Sequence, residues 1–388
     1  MPEEHAKLSP SASARWMTCP GSITLIKSMA ELLGTKDVSS DPAIKGTALH
    51  NIAEKLLLSE PLSAADRVWV DSKGKDQEIE VSDINDCVTP YIEYAESLDG
   101  DRYVEVKVHM ADECWGTADL VVFSDKVLNV ADLKTGHGKV DAADNLQLKL
   151  YALGALKSDY ALMYDIDTIV VAISQGRINH HDSVVYTVEE ILAFEEDLLA
   201  AIDAIATETD NYIPSDKGCQ WCPVRAHCPA LAAQVHAAAQ SDFKAMTIDA
   251  LGDAMLEIPL MKSWIKGVED QTKEHLEKGD PIEGWKMVEG RRTRKWIDQV
   301  AAEKYFKNRV GKFQHTCYNM KFMSPAQMEK AIAADGVKIR GTVDFDKVVE
   351  WGGGQPTVAK ESDKREALVY GDKAASDFAT CDDDDLLD

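Results

Sequence analysis

Two short stretches combine carboxylates with a lysine in a way that could bind a metal ion. Asp132 and Lys134 lie in "ADLKTG", and Asp119 lies upstream in "GTADLV". Residues i and i+2 of a strand point to the same face, so Asp132 and Lys134 project together, and a hairpin would bring Asp119 beside them. Two carboxylates suit Mg²⁺ or Mn²⁺, which lower the pKa of bound water and offset charge that builds on a phosphate. Lys134 could orient or deprotonate that water, or stabilise the transition state.

Residues on either side of these strands extend the constellation. Gln147 and Tyr151 are four positions apart in "QLKLY", which puts both on one face of a helix. His50, in "GTALH", precedes the strands and shares a helix face with Glu54. Taken singly, Asp-x-Lys fits a surface salt bridge, and a histidine on an amphipathic helix fits a packed residue. The presence of these neighbours together weighs against the simple salt bridge.

The stretch "GCQWCPVRAHCPA" (218–230) holds three cysteines within ten positions, Cys219, Cys222 and Cys228. Sulfur ligands suit Zn²⁺ or an iron–sulfur cluster, and such sites usually take four ligands. The chain has eight cysteines in 388 residues, and their spacing does not resemble a disulfide framework. A reducing cytoplasm therefore fits the chain better than an oxidising compartment.

Alternating and helical periodicities predict the elements that would position these residues. Residues 59–81 are polar and are expected to form a loop. Strands are predicted over 102–110, 116–124, 126–134 and 167–174, with a turn at Ser124-Asp125. Helices are predicted over 22–33, 46–58, 82–98, 145–156 and 187–206, the last starting with a capping box of Thr187 and Glu190. This order predicts an α/β fold with a mixed sheet flanked by helices.

The length of the chain exceeds that of one ordinary core, so two domains are expected. The pattern changes near residue 240, which predicts a first domain over 1–240, a smaller and mostly helical domain over 241–370, and an acidic tail over 371–388. The start of the chain lacks the apolar segment of a secretory signal, and no stretch approaches the roughly 18 apolar residues that span a bilayer. We therefore expect a soluble protein without a membrane partner.

The net charge of −25 argues against binding nucleic acid through the whole surface. Local cations cluster in "GWKMVEGRRTRKW" (284–296), where Arg291, Arg292, Arg294 and Lys295 lie between two tryptophans. Cations track phosphates and aromatic rings stack on bases, so this stretch is a candidate DNA-contacting patch. A twisted hairpin with solvated cations and buried tryptophans explains the same residues. The acidic tail fits a disordered segment, or a peptide that docks on a basic partner.

The order "GTALH", "GTADLV", "ADLKTG", "QLKLY" resembles the RecB-like branch of the PD-(D/E)xK nuclease superfamily. The resemblance implies a nuclease core in which a metal is bound by His50, Asp119, Asp132 and the backbone carbonyl of Leu133. It also implies a catalytic set of Asp119, Asp132, Lys134, Gln147 and Tyr151. In that set Lys134 is the catalytic lysine, and Gln147 and Tyr151 contact DNA or the scaffold. Glu105 is a candidate for a further metal ligand or a plain strand-surface charge, and Ala131 replaces the proline of the motif.

The cysteine trio resembles the carboxy-terminal cysteines of iron–sulfur nucleases in the same branch, which include bacterial recombination nucleases and CRISPR-associated adaptation nucleases. In those proteins a fourth cysteine precedes the histidine helix, and Cys19 in "RWMTCPGS" occupies that place. The resemblance implies a [4Fe–4S] cluster on Cys19, Cys219, Cys222 and Cys228, with zinc as the alternative. Such a cluster would clasp the first and last elements of the core, so its role would be structural.

Three further stretches, "LSPSASARWMTCPGS", "GWKMVEGRRTRKW" and "GQPTVAKESDKREAL", resemble a family of phage and prophage proteins labelled only as a domain of unknown function. Together the resemblances imply a Mg²⁺- or Mn²⁺-dependent DNA exonuclease that acts on a single strand or a duplex end. Its setting would be phage recombination, replication or DNA processing in the cytoplasm of a bacterial host. A phage recombination or single-strand-binding protein is the expected partner of the acidic tail.

Two rival functions explain part of the same sequence. One is a non-catalytic DNA- or protein-binding module of the same fold, and the other is an acidic inhibitor of a host nuclease. A non-catalytic descendant has no reason to keep His50, Asp119, Asp132 and Lys134 together. The intact set therefore favours the enzyme.

Overall fold

The computed structural model of the chain divides into two compact units, Met1–Ile265 and Lys266–Asp388. The structure describes residues 6–33, 40–240, 248–311, 317–319, 321–322, 325, 328, 332, 343–360 and 365–368. The predicted acidic tail over 371–388 lies outside the described residues. The candidate catalytic residues and the four cysteines all lie within the first unit.

The first unit contains both helices and strands. Its helices are α1 (Ser13–Trp16), α2 (Gly21–Leu33), α3 (Asp41–Leu57), α4 (Val81–Asp83), α5 (Thr89–Glu96), α6 (Leu146–Leu156), α7 (Val188–Thr207), α8 (Asp216–Gln220) and α9 (Pro229–Ala239). Its strands are β1 (Val68–Val70), β2 (Asp76–Glu78), β3 (Asp101–Ala111), β4 (Cys114–Phe123), β5 (Val127–Leu133), β6 (Thr168–Gln175) and β7 (His180–Thr187). A long helix, α10 (Ile248–Lys278), crosses the division between the units.

Five of these strands form one mixed sheet in the order β3-β4-β5-β6-β7. Strands β5 and β6 run parallel, and the other neighbours are antiparallel. A parallel pair needs a long crossover, and the connection from β5 to β6 supplies it with α6 in the middle. Helices flank this mixed sheet, so the predicted α/β class is confirmed.

Single polar side chains set the starts of two helices. Asn145 precedes α6, and its side chain accepts a hydrogen bond from the N–H of Leu148. Thr187 and Glu190 form the predicted capping box of α7, each side chain accepting from the other residue's N–H. These caps satisfy N–H groups that the first helical turn leaves without a partner. The loop after β5 therefore ends at a fixed point, two residues before Gln147.

Apolar side chains fill the space on both faces of the sheet. One core lies beneath α6 and α7 and includes Val130, Leu148, Val171 and Leu198. The other core lies against α3 and α5 and includes Leu49, Leu120, Ala131 and Ala172. Because both faces of β5 and β6 are covered, their sequences are apolar for most of their length instead of alternating.

The structure differs from the predicted elements at several points. Strand β7 occupies a stretch where no strand was predicted. It is an edge strand whose residues alternate between partly buried and exposed, so its sequence is largely polar and lacks the apolar run that indicated the other strands. Strands β1 and β2 form a small hairpin inside the stretch predicted as a loop. The predicted helix over 82–98 is divided into α4, a π-helical turn (Ile84–Val88) and α5.

In the described part of the second unit, β8 (Trp285–Trp296) pairs antiparallel with β11 (Val349–Lys360). Two short strands, β9 (Tyr318–Asn319) and β10 (Lys321–Phe322), also pair, and α11 (Gln299–Lys307) packs Phe306 into a separate core. Paired strands of 12 residues each give this part more sheet than a mostly helical domain would have. The division inside α10 also differs from the boundary predicted near residue 240.

Helix α10 is long, at 31 residues, but charged side chains are distributed along it, including Asp253, Lys262 and Glu269. Neither α10 nor another helix in the described ranges combines the length and the apolar composition that crossing a membrane requires.

We predict opposite effects of alanine at two helical glycines. A Cβ on Gly154 in α6 would lie 2.7 Å from Sδ of Met110 and 2.9 Å from Cβ of Val108. Gly154→Ala should therefore lower the free energy of unfolding by about 1–3 kcal/mol. A Cβ on Gly252 in α10 meets open space, so Gly252→Ala should raise it by up to about 1 kcal/mol. Urea denaturation followed by circular dichroism compares the two variants, and equal effects would contradict the close packing of α6.

Candidate active site

Asp119 lies where β4 and β5 separate. The two strands pair up to Leu120 opposite Ala131, and the pairing ends there. The next residues in register are Asp119 and Asp132, as the predicted hairpin requires. Oδ2 of Asp119 accepts a hydrogen bond of 2.7 Å from the N–H of Leu133. A side-chain carboxylate thus takes the place of a strand carbonyl, and this bond holds it between the two strands.

Strands β3 and β4 both change face at the site. Side chains of a regular strand alternate, so Ala118 and Val121 should face opposite ways, yet both pack in the core beneath α6. On β3, Val104 and Val106 should share a face, yet they pack in different cores. Between them Glu105 has a φ of +48°, a left-handed conformation that is costly for glutamate. Glu105 on β3 and Asp119 on β4 lie between the pairs Val104–Leu120 and Val106–Ala118. They are therefore the residues at which the side chains of both strands change from one face of the sheet to the other.

His50 brings an imidazole nitrogen to these carboxylates. Its Nδ1 lies 3.4 Å from Oδ2 of Asp119 and 4.0 Å from Oε1 of Glu105. One ligand atom of each of the three residues lies within 4.8 Å of the other two. Gly46, one helical turn earlier, lets α3 approach the loop after β5, because a Cβ there would lie 3.2 Å from Oγ1 of Thr135. Helix α3 therefore delivers His50 from the opposite side of the sheet to α6.

Lys134 and Asp132 form the other half of the group. Nζ of Lys134 lies 2.6 Å from Oδ2 of Asp132. Gln147 joins both residues, because its Oε1 accepts from Nζ of Lys134 at 3.0 Å and its Nε2 donates to Oδ1 of Asp132 at 3.0 Å. The same Nε2 lies 3.4 Å from the hydroxyl of Tyr151. The structure thus brings together the residues of "ADLKTG" and "QLKLY" that the sequence singled out.

The backbone carbonyl of Leu133 points toward the same group. The N–H of Lys134 donates to the carbonyl of Ser174 on β6 at 2.9 Å. In a trans peptide the C=O and the following N–H point in opposite directions, so the carbonyl of Leu133 points away from β6 and toward β4. Asp119 lies on that side, where it accepts from the N–H of Leu133. The direction is the one that a backbone ligand would need.

Buried charge dominates the electrostatics of the group. Burial opposes a charge on His50, but the charges of Asp119, Asp132 and Glu105 outweigh it and raise the pKa of His50 to about 9. Burial and the charge of Asp119 raise the pKa of Glu105 to about 7. Burial raises the pKa of Asp132 against the opposing charge of Lys134. Three carboxylates share this space with one imidazole and one ammonium group, so an added positive charge would stabilise it.

The donor set fits a divalent cation. Carboxylate oxygens of Glu105, Asp119 and Asp132 and the carbonyl oxygen of Leu133 are hard ligands of the kind that Mg²⁺ and Mn²⁺ prefer. The imidazole of His50 adds one nitrogen ligand to this mainly oxygen-based set. Without a cation, protons on His50 and Glu105 reduce the negative charge of the group. A bound cation would balance that charge in their place.

Four cysteines from distant parts of the chain line one cavity beside α2, α8 and α9: Cys19, Cys219, Cys222 and Cys228. All four are free thiols. The N–H of Ile213 lies 3.4 Å from Sγ of Cys19, and the N–H of Ser215 lies 3.4 Å from Sγ of Cys219. Backbone N–H groups directed at sulfur stabilise thiolate ligands, so the cavity fits a sulfur-ligated metal or cluster.

The predicted DNA-contacting patch lies on β8 in the second unit. All four basic residues belong to β8. Arg294 and Lys295 pair with β11, whereas Arg291 and Arg292 lie at an irregularity of the ladder. The side chains of Arg291, Arg292 and Lys295 lie outside the described residues. Trp285 is 44% exposed, so the alternative of a hairpin with both tryptophans buried does not hold at that residue. The patch stays a prediction.

The sequence analysis missed a polar network around the loop after Lys134. Arg177, just after β6, donates through Nε to the carbonyl of Thr135 at 2.8 Å and through Nη2 to Oδ1 of Asp83 at 2.8 Å. Asp83 is buried and also pairs with Nζ of Lys45 on α3 at 2.7 Å. This network ties the helix of His50 to the loop of Lys134. The polar residues "SQGR" after an apolar strand are the signal that could have pointed to it.

Gln175 holds the same loop from beneath. Its side chain is fully buried, and Nε2 donates to the carbonyls of Gly136 and Gly138 at 3.0 and 2.7 Å. Oε1 accepts from the N–H of Val140 at 3.1 Å. These three backbone groups lie outside any strand, and the side-chain amide of Gln175 satisfies all of them. It therefore holds the centre of the loop between Lys134 and Gln147 in place.

Residues 5–366 match the family described as "Protein of unknown function (DUF2800)". The matched range covers most of the 388-residue chain. The chain belongs to this family. The description of the DUF2800 family names no activity, so the function of the protein has to be argued from the chemistry of its site.

We predict that Glu105→Asn stabilises the cation-free DUF2800 protein and weakens its binding of Mn²⁺. Asparagine tolerates a positive φ better than glutamate does, and the substitution also removes a half-buried carboxylate beside Asp119. The gain in unfolding free energy should be about 1 kcal/mol, whereas loss of a carboxylate ligand should weaken Mn²⁺ binding at least about tenfold. Thermal unfolding without cation and isothermal titration with Mn²⁺ measure the two effects.

The matched control is Asp112→Asn, which removes an exposed carboxylate from the turn between β3 and β4. It should leave both the unfolding temperature and the Mn²⁺ affinity unchanged. Equal losses of Mn²⁺ affinity in the two variants would show that Glu105 lies outside the cation site.

Proposed function

We propose that this DUF2800 protein is a Mg²⁺- or Mn²⁺-dependent DNA exonuclease of the RecB-like PD-(D/E)xK type, which hydrolyses phosphodiester bonds. One observation carries the proposal. Asp119 and Asp132 are the next residues of β4 and β5 after the last registered pair, Leu120–Ala131. His50 lies beside Asp119, and Lys134 lies beside Asp132. The order of these residues along the chain and their geometry agree with the nuclease resemblance.

In this proposal the cation ligands are His50, Glu105, Asp119, Asp132 and the carbonyl of Leu133. When bound, the cation would supply a water of lowered pKa and would offset charge on the phosphate. The hydrogen bond from Leu133 keeps the carboxylate of Asp119 in place before any ligand arrives. A ligand set that is held in advance costs less reorganisation when charge develops during the reaction.

Lys134 supplies positive charge beside the carboxylates. Burial disfavours its ammonium form, but the charges of Asp132 and Asp119 outweigh burial and raise its pKa. Lys134 is therefore protonated at neutral pH in the cation-free protein, and it can stabilise negative charge on a phosphate oxygen or orient an attacking water. Gln147 accepts from its Nζ and donates to Asp132, so Gln147 positions the lysine against the carboxylate.

The substrate class and the setting come from the resemblance to nucleases and to phage proteins. The net charge of −25 requires that a polyanion be bound through local cations. At the site in the first unit these are Lys134 and the bound divalent ion, and we propose that a DNA end or single strand is bound there. The patch on β8 is a separate proposed DNA-contacting surface of the second unit. A phage recombination or single-strand-binding protein is the proposed partner of the acidic tail, and the bacterial host cytoplasm is the proposed location.

We also propose a [4Fe–4S] cluster on Cys19, Cys219, Cys222 and Cys228. Thiolate ligands suit an iron–sulfur cluster and zinc alike, and the resemblance to iron–sulfur nucleases favours the cluster. The cluster would join the segment before α2 to the segment around α8, and so close the nuclease core.

We predict that Asp119→Ala and Lys134→Ala abolish DNA degradation. Wild-type protein purified without oxygen should degrade end-labelled single- or double-stranded DNA in the presence of Mg²⁺ or Mn²⁺, and EDTA should stop it. Each variant should lose at least about 100-fold in rate, because each removes a group that stabilises charge in the transition state. Release of labelled nucleotides over time measures the rate and distinguishes digestion from an end from internal cleavage.

The control variant is Lys126→Ala, which removes an exposed lysine just before β5, at the opposite end of the strand from Lys134. It should degrade DNA at the wild-type rate. The nuclease proposal fails if wild type and the two site variants degrade DNA equally, or if none of them does. Binding of DNA without cleavage would favour the non-catalytic module instead.

The cysteine proposal predicts that Cys19→Ala disrupts the cluster as completely as Cys222→Ala does. Protein reconstituted with ferrous iron and sulfide should be brown, with four iron atoms per chain by metal analysis and absorption near 400 nm. Both variants should lose this absorption and unfold at a lower temperature, because ligand binding energy is folding energy. Cys317→Ala, in the core of the second unit, should keep the absorption. Colourless protein with one zinc per chain would contradict the cluster.

A further inference from the structure

Ser22 has a buried hydroxyl in the cysteine cavity. The residue is 3% exposed and lines the cavity together with the four cysteines. Within the described part of the chain its Oγ has no hydrogen-bond partner. A buried hydroxyl without a partner costs about 1–3 kcal/mol, so a serine in this position calls for an explanation.

The backbone around Ser22 is held firmly, so a shift of the helix would not easily provide a partner. Its N–H donates to the carbonyl of Cys19 at 3.0 Å, and the N–H of Gly21 donates to the carbonyl of Asn211 at 3.0 Å. A Cβ on Gly21 would lie 2.8 Å from the ring of Tyr212, which shows how closely the segment before α8 packs on the start of α2. The Cα of Ser22 is thus held at the wall of the cavity, and its hydroxyl can move only by rotation about χ1 and about the C–O bond.

Two backbone groups at the cavity are hydrogen-bond donors to sulfur. The N–H groups of Ile213 and Ser215 point at Sγ of Cys19 and of Cys219. Apolar side chains such as Leu25 and Leu231 form much of the rest of the lining, together with Tyr212 and Arg225. Sulfur atoms, those of the cysteines and of a group that they hold, are therefore the acceptors that such a cavity offers to the hydroxyl proton.

We propose that the hydroxyl of Ser22 donates a hydrogen bond to a sulfur atom of the group that the four cysteines hold, and so stabilises that group. The inference rests on the proposed iron–sulfur cluster. Hydrogen bonds to sulfur are among the levers by which a protein tunes and protects such clusters. Ser22 is then a positioning and stabilising residue of the cluster site, not one of its ligands.

The test compares Ser22→Ala, which removes the hydroxyl, with Ser22→Thr, which keeps it. Ser28→Ala, an exposed serine of the same helix, is the matched control. Each protein is reconstituted with ferrous iron and sulfide. Resonance Raman spectra of the Fe–S stretches are recorded in H₂O and D₂O, and bleaching of the visible absorption by a chelator is timed.

We expect the D₂O shift of the Fe–S stretches to be smaller in Ser22→Ala than in wild type, and bleaching to be about 3-fold to 10-fold faster, as the loss of one hydrogen bond implies. Ser22→Thr and Ser28→Ala should behave as wild type. Without iron, Ser22→Ala should unfold no more easily than wild type, because it loses an unpaired polar group. A purely structural serine would lower stability in the iron-free protein as well.

The outcomes separate the two proposals. A normal cluster in Ser22→Ala, with wild-type isotope shifts and bleaching rate, would overturn the role of Ser22 and leave the cluster standing. Failure of the wild-type protein to bind iron and sulfide would overturn both. Cleavage of DNA is measured through Asp119→Ala and is independent of either result.

Discussion

The hydrogen bond from the N–H of Leu133 to the carboxylate of Asp119, at 2.7 Å, is the contact on which the site depends. It lets β4 and β5 part without leaving a backbone N–H unpaired, which would be costly inside the sheet. It places the carboxylate within 3.4 Å of His50. It also lies on the side of β5 toward which the carbonyl of Leu133 points. Without this bond the strand ends would either continue to pair and close the opening, or separate and lose the ligand geometry.

The site combines side chains from both layers of helices because the sheet changes face beside it. His50 comes from α3 on one side, and Gln147 and Tyr151 come from α6 on the other. The positive φ of Glu105 and the burial of Asp119 and Asp132 are unfavourable for the fold alone. Strain and unbalanced charge of this kind persist where a ligand or a reaction uses them, and the two apolar cores offset their cost.

Local sequence patterns predicted the central part of this arrangement well. The short apolar runs in "GTADLVVFS" and "KVLNVADLK", the turn at Ser124-Asp125 and the four-residue spacing of Gln147 and Tyr151 are local signals for β4, β5 and α6. The change of face at Glu105 could not be predicted, because it depends on one backbone angle and not on residue type. The network of Lys45, Asp83 and Arg177 joins residues up to 132 positions apart, and nothing in their local sequence pairs them. The same holds for Cys19, whose place was indicated by resemblance and not by spacing.

The segment of residues 6–33 illustrates how the order of synthesis constrains this protein. Leu8 and Trp16 are fully buried in the core beneath α6 and α7, the N–H of Leu8 bonds to the carbonyl of Glu113, and Gly21 bonds to Asn211. At the ribosomal rate of about 5–20 residues per second, this segment leaves the ribosome on the order of 10–40 s before the residues near 211–228 that complete its surroundings. Its partners among residues 108–155 are made earlier, but the segment cannot complete its native contacts until the residues near 211–228 emerge. A circular permutant that places this segment after residue 240 would shorten the time between its synthesis and that of its partners. The yield of folded permutant would show whether the order of translation limits folding.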